Sequence, residues 1–169
     1  MANFGSSRPK KRISEEVALQ RLETLCAAGE HCRHELTEKL RKWGLTAQEA
    51  TRILESLEQR RFVDDSRFAS AFVRDKLLYN HWGKIKISLA LRAKRIDPDI
   101  IDEALDEIDA EEYEEVAREF LAAKARTVKE GNCYDGRSRL YRHGLSRGFE
   151  SPLVARIVKA ASTWGEEEE

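Results

Sequence analysis

Residues 61–72 read RFVDDSRFASAF, with Asp64 and Asp65 held between two phenylalanine-containing apolar patches. Adjacent carboxylates serve as acid–base pairs, as metal ligands, or at helix N-termini, where they accept amide hydrogen bonds and offset the positive end of the dipole. A catalytic dyad needs partners on other elements, and no third carboxylate or histidine stands close in sequence. Asp65 or Ser66 is therefore expected to accept amide hydrogen bonds at the start of a helix carrying Phe68 and Phe72, with Asp64 adding charge there. A second cluster, HCRH at 31–34, sets His31 and His34 at i, i+3 on either side of Cys32. Structural zinc takes four ligands, and the only other thiol nearby is Cys26, so the cluster reads as a helix start. Cys26, Cys32 and Cys133 form an odd set without a CxxC, which points to reduced thiols. There is no glycine-rich phosphate loop, GxSxG, HExxH or calcium-loop pattern. No enzyme is expected, and no cofactor or metal.

Binding chemistry is better represented. Lys84, Lys86, Arg92, Lys94 and Arg95 cluster on a helix read as 84–94, with Lys84, Arg92 and Arg95 within roughly 80° of one another and Lys86 on the opposite flank. Further on, Arg139 and Arg142 are i, i+3 neighbours, with Arg137 and Arg147 at the ends. Guanidinium forks suit phosphate and carboxylate alike. Tyr79 and Trp82 precede the first basic helix, and Tyr134 and Tyr141 flank or enter the second. Aromatics beside arginine can stack on bases, although Trp82 reads more readily as core.

The net charge of −1 hides a segregation. Residues 1–61 hold 12 basic and 9 acidic residues, 62–96 hold 8 and 3, 97–120 hold 1 and 12, and 121–165 hold 9 and 3, before a closing EEEE. Such blocks create a two-pole field that steers partners. Charged residues make up 36% and aromatics 8% of the 169 positions, with 3 prolines, the balance of a helix-rich protein. The longest apolar run is too short to cross a bilayer, and the basic N-terminus has no apolar stretch behind it. A cytoplasmic location without membrane contact is expected.

These residues must be positioned by helices, and the punctuation is dense. Ser14 caps a helix to about Ala28, stopped by Gly29; a second runs from about Cys32 to Trp43 and ends at Gly44. TAQE at 46–49 is a capping box opening a helix to about Arg60, and DAEE at 109–112 is another candidate. Asp97-Pro98 and Ser151-Pro152 each place a cap before a first-turn proline, and Gly131 and Gly148 are stops. The pattern predicts nine helices and no strand.

The helices come in threes. Leu36, Leu40, Leu45, Ile53, Leu54 and Leu57 recur 51 positions on as Ile87, Leu91, Ile96, Ala104, Leu105 and Ile108. They recur again, 104 positions on, as Leu140, Gly144, Phe149, Ile157, Val158 and Ala161. A recurring apolar register of this kind means a tandem repeat. Gly144, which replaces a leucine, either allows close helix approach or marks a looser third register. In the middle copy Ile87 and Leu91 share one face while Ile85 and Leu89 lie roughly 160–200° away. A helix apolar on two sides is expected to be covered on two sides, which argues for one stack. The fold class is therefore all-α, with three tandem three-helix repeats stacked into one elongated, curved unit. The expected divisions are a basic flexible tail 1–13, repeats at 14–61, 62–109 and 110–163, and an acidic tail 164–169.

The joints and helix starts resemble a known family. RHEL at 33–36, RRFVDDSRFASAFVRDKL at 60–77, WGKIKISLALRAKRID at 82–97, IIDEAL at 100–105 and LSRGF at 145–149 are similar to the RecX regulatory proteins, over about residues 14–163. His34 stands where the family more often has a small hydroxyl residue, Arg95 where it often has glycine, and Gly83-Lys84 where many members have Gly-Pro. The resemblance implies a non-enzymatic protein of three tandem three-helix repeats that binds the groove of a RecA filament on single-stranded DNA. It further implies inhibition of RecA ATP hydrolysis, strand exchange and coprotease activity. The implied partners are RecA and its filament, with DNA directly as a further contact, and a monomer is expected. Rival readings are a helix-turn-helix DNA-binding protein, suggested by the helices 32–43 and 47–60 joined by GLT, and an α-helical repeat scaffold. A repressor usually sets Arg, Asn or Gln near the start of its second helix, and of the starts AQEAT, PDIID and PLVAR two are acidic or apolar, which counts against base reading.

Overall fold

The structure, a computed structural model, describes residues 12–127 and 134–161. The readings placed on the tails, on Gly131, on Cys133 and on the Tyr134 side chain lie outside the described residues. Among these residues there are nine α-helices and no strand. They are α1 Glu15–Ala28, α2 Arg33–Lys42, α3 Ala47–Gln59, α4 Asp65–Leu78, α5 Lys84–Ala93, α6 Pro98–Asp106, α7 Ala110–Ala125, α8 Tyr134–Ser146 and α9 Ser151–Ala160.

Most helices begin where a side chain satisfies the orphan amides of the first turn. The Ser14 hydroxyl accepts from Val17 N, Asp97 from Asp99 N, and Asp109 from Glu111 N and Glu112 N. Thr46 and Glu49 form the full reciprocal capping box. Ser151 departs from expectation: Glu150 is the residue before α9, Ser151 is its first helical residue, and the Ser151 hydroxyl instead lies 2.7 Å from that of Tyr141.

Four helices stop in the same way. Backbone φ is positive at Gly44, Arg61, Arg95 and Gly148. The next amide in each case (Leu45, Phe62, Ile96, Phe149) donates back to the carbonyls of Leu40, Leu57, Leu91 and Gly144 at 2.9–3.3 Å. Three of those following residues are buried and Phe62 is half-buried, the apolar clasp that accompanies this turn. Leu45, Ile96 and Phe149 occupy one position of the repeat, so the recurrence seen in the sequence marks a turn as well as a core.

A second signature of the repeat lies in side-chain pairs separated by 37 residues. Arg12–Glu49, Glu15–Arg52, Glu23–Arg60 and Glu30–Arg67 all have this separation, as do Ser70–Glu107 and Tyr113–Glu150. Along α1 and α3 and their flanking residues, where three of these pairs lie, a constant difference in number means that the two helices run parallel; antiparallel partners would keep a constant sum.

The chain divides into two compact units, residues 1–68 and 69–169. In the first, α1 and α2 pack on α3 around Leu22, Leu36, Leu40, Ile53, Leu54 and Leu57, all at most 4% exposed. Each such aliphatic contributes about 1.5–3 kcal/mol. In the second, α5 packs on α6, and α7, α8 and α9 pack on one another around Leu121, Leu140, Phe149 and Ile157. A Cβ on Gly144 would lie 2.8 Å from Val154 Cγ1, so this glycine lets α8 and α9 approach closely.

The aspartate pair divides its labour. Asp64 Oδ1 accepts from Arg67 N at 3.0 Å and so caps α4. Asp65, expected to cap its own helix, instead accepts from Arg33 N at 2.8 Å, at the start of α2. Ser66 is exposed. Asp64→Ala and Asp65→Ala are each expected to cost about 0.5–2 kcal/mol. The two differ in where amide exchange accelerates: at Arg67 for the first and at Arg33 for the second. Acceleration at Arg67 alone in both variants would contradict this division.

Candidate interaction surface

In the second unit the start of α5 is completed by groups from α7 and the α8–α9 turn. Gly83 N donates to Arg147 O at 2.8 Å, and Ile85 N to Gly148 O at 3.1 Å. Lys84 N donates to the Tyr113 hydroxyl at 2.9 Å, and that hydroxyl donates to Glu150 at 2.6 Å. Burial first, and then the Glu150 carboxylate, push the Tyr113 pKa upward. The arrangement parallels Arg33 and Asp65: in both cases the first amide of a repeat's second helix is taken by a side chain on the helix that opens the next repeat. Two backbones meet here. A Cβ on Gly83 would lie 2.2 Å from Gly148 O, and one on Gly148 would lie 2.4 Å from Lys86 Cβ.

This joint brings Lys84, Lys86 and Arg147 of the expected basic set together, with their cations over aromatic rings. Lys84 Nζ lies 5.1 Å from the Tyr113 ring centre, Lys86 Nζ 4.6 Å from Trp82, and Arg147 Cζ 5.4 Å from Phe120. Lys94 Nζ sits 5.7 Å from Phe72. These four are half-buried, and their contacts are cation–π contacts within the fold. His143 stacks on Phe120 at 4.8 Å, and its pKa is lowered by burial first and then by Lys124 and Arg147.

The remaining arginines face solvent. Arg92, Arg95, Arg137, Arg139 and Arg142 are exposed. Arg137 and Arg142 line a groove of about 600 Å³ between α8 and α9, floored by Ala155 and Val158 and edged by Tyr141 and Lys159. Lys159 stands outside the basic set read from the sequence. Arg95 also departs from expectation. Helix α5 ends at Ala93, Lys94 is the cap, and Arg95 turns off the helix with φ 58°, so it does not share the face of Lys84 and Arg92.

A left-handed arginine costs about 1–2 kcal/mol that a glycine would not. Arg95→Gly is therefore expected to raise stability by up to about 1 kcal/mol while weakening binding, measured by melting and by titration against the partner. Unchanged binding would remove Arg95 from the contact set.

Most described arginines of the first unit are ion-paired, whereas in the second unit Arg118 and Arg156 pair with glutamates and others have no such partner among the described residues. In the first, Arg12, Arg33, Arg41, Arg52, Arg60 and Arg67 are each closed onto a glutamate. Exposed pairs of this kind add little stability, but they occupy the guanidinium. In the second, Arg92, Arg95, Arg137 and Arg142 have no carboxylate partner among the described residues, and Arg142 Nε donates to Ser138 O at 3.3 Å. Around HCRH, His31 Nδ1 lies 3.3 Å from Glu35, Cys32 is buried at the start of α2, and burial raises the Cys26 thiol pKa. Among the described residues no cluster of three or more His, Cys, Asp or Glu has metal-site geometry. No helix among them is long and apolar enough to cross a membrane.

Comparison with known proteins places this geometry among relatives. A family model described as "RecX, second three-helix domain" matches residues 64–105, which hold α4, α5 and most of α6. The chain is 31% identical over 129 residues to the regulatory protein RecX of Clostridium botulinum (strain Eklund 17B / Type B), covering 75% of this chain and 60% of that one. It is 31% identical over 130 residues to that of Prosthecochloris aestuarii, covering 76% and 83%. It is 28% identical over 161 residues to that of Streptomyces coelicolor, covering 92% and 85%. The chain thus spans only about three-fifths of the Clostridium relative but most of the other two. The fold matches the crystal structure of RecX from Lactobacillus salivarius with a TM-score of 0.76 at 19% identity, over 86% of this chain and 95% of that one. A second crystal structure, of a regulatory protein RecX, gives 0.75 at 22% identity, over 86% and 73%.

Proposed function

Because the chain belongs to the RecX family of regulatory proteins, we propose that it binds the RecA filament on single-stranded DNA and limits RecA ATP hydrolysis, strand exchange and coprotease activity. It would do so in the cytoplasm, as a monomer built from repeats at 14–61, 62–109 and 110–163. The role is regulatory rather than enzymatic.

The observation that carries the proposal is the contrast in arginine use. The first unit closes six of its guanidinium groups onto glutamates. Arg92, Arg95, Arg137 and Arg142 present theirs outward, where phosphate or an acidic protein surface can accept them. The acidic stretch 97–120, largely exposed in the same chain, gives the opposite pole for basic loops of a partner.

The test is a titration of the chain into RecA assembled on single-stranded DNA, with ATP hydrolysis and co-sedimentation as readouts. Saturable binding with falling hydrolysis is expected. Unchanged hydrolysis together with tight binding to a defined duplex sequence would replace the proposal with the helix-turn-helix reading.

A further inference from the structure

We propose that the outer face of α5, built on Ile85 and Leu89, docks a protein partner that offers an apolar cleft edged with carboxylates. This deepens the proposed function and rests on it: within that reading the face meets the RecA protomer rather than the DNA.

Helix α5 has two apolar stripes. Ile87 and Leu91 are 0% exposed and satisfy the core. Ile85 and Leu89, expected to be covered by neighbouring repeats, are 49% and 60% exposed. The covered-on-both-sides expectation therefore fails, and the second stripe is left open. The repeat does not require it. The matching positions are His34 and Glu38 in α2 and Ser138 and Arg142 in α8. Only the middle repeat places two branched aliphatics there.

The surroundings define the occupant. A shallow depression of about 320 Å³ is lined by Ile85, Ser88 and Leu89, with exposed Arg92 and half-buried Lys84, whose ammonium keeps its charge over the Tyr113 ring, at its edge. An apolar centre with a cationic rim is the anatomy of a protein interface. A phosphate backbone gains nothing from dehydrating Ile85 and Leu89, because its attraction is to the charges alone. A second copy of this chain is disfavoured, because a self-complementary contact would set two cationic rims against each other. A cleft with carboxylate edges satisfies both parts at once.

The test uses the full chain with Leu89→Asp, and with Ile85→Ala/Leu89→Ala as a milder variant. Both sites are exposed, so melting is expected to match the parent. Each protein is titrated against preformed RecA–single-stranded DNA filaments, against the same DNA alone, and against itself by sedimentation velocity. Leu89→Asp is expected to weaken filament inhibition about 10–100-fold, and the alanine pair by at least about 5-fold. Affinity for naked DNA and its salt dependence should stay at the parent values. A folded Leu89→Asp that inhibits like the parent overturns the inference while leaving the proposed function intact. Equal loss of naked DNA binding assigns the face to nucleic acid, and a parent dimer that Leu89→Asp dissolves assigns it to a second copy; either overturns it. A parent chain that leaves the filament untouched removes the proposed function and the α5 partner with it.

Discussion

Reversing Arg92, Arg95, Arg137 and Arg142 to glutamate is expected to abolish inhibition of RecA at concentrations where the parent chain inhibits fully. All four are exposed and lack a carboxylate partner among the described residues, so the reversal breaks no ion pair described in the fold. Circular dichroism and melting should show the parent's helicity. Each reversal both removes an attraction and adds a repulsion, and the combined effect on filament affinity is expected to be at least about 100-fold. Titration against naked single-stranded DNA then separates the two surfaces that these residues can meet. Phosphate contacts predict a parent affinity that falls with salt, with a log–log slope that loses about 0.7 for each contact removed, and indifference to base sequence. Contacts to an acidic protein surface predict weak binding to naked DNA in parent and variant alike. A folded variant that still inhibits fully would exclude both, leaving the acidic stretch 97–120 as the contact surface.

How much of this could be read from the sequence depends on the range over which each feature is determined. Caps are decided within four residues, so Ser14, Thr46–Glu49, Asp97 and Asp109 behave as the sequence suggests. The repeat register is carried by whole helix faces, and Leu36, Ile87 and Leu140 are buried alike. Asp65 was misassigned because its acceptor oxygen turns to Arg33, a choice made by tertiary packing 32 residues away. Ile85 and Leu89 were misassigned because periodicity reports that a face is apolar, not that anything covers it. Arg95 was placed on the helix because its turn lacks the glycine that signals a left-handed stop. For the candidate surface, residue types were legible but availability was not. Lys84, Lys86, Lys94 and Arg147 are as basic as Arg92, yet each rests on an aromatic ring, from Trp82 four residues away for Lys86 and from positions 22–29 residues away for the other three. The motif WGKIKI and the motif LSRGF carry the family resemblance separately. Only the fold shows that Gly83 and Gly148 are one contact.

That contact carries the second large expectation, in stability. Gly83 has an ordinary φ of −78°, so nothing in its own backbone asks for glycine. What asks for it is space. A methyl group there would stand 2.2 Å from Gly148 O and 2.3 Å from Phe149 N, both backbone atoms that no rotamer change can move. To admit it, α5 must withdraw from the α8–α9 turn. Withdrawal lengthens the bonds from Gly83 N and Ile85 N and strands the Tyr113 hydroxyl between Lys84 N and Glu150. Overpacking against rigid backbone, together with loss of these buried hydrogen bonds, is expected to cost about 3 kcal/mol or more. For a folding unit of this size that corresponds to a melting temperature lower by roughly 10–20 °C. Gly29→Ala is the control, because no atom lies within 4 Å of its added Cβ and its φ of 179° is extended backbone open to any residue. It should melt within about 0.5 kcal/mol of the parent. Amide exchange in Gly83→Ala should accelerate at Lys84 and Ile85 while the Glu49 amide, held in its own capping box, keeps its protection. A Gly83→Ala protein that melts with the parent would mean that the two glycines do not hold α5 in place, and that Lys84, Lys86 and Arg147 are gathered by some other contact.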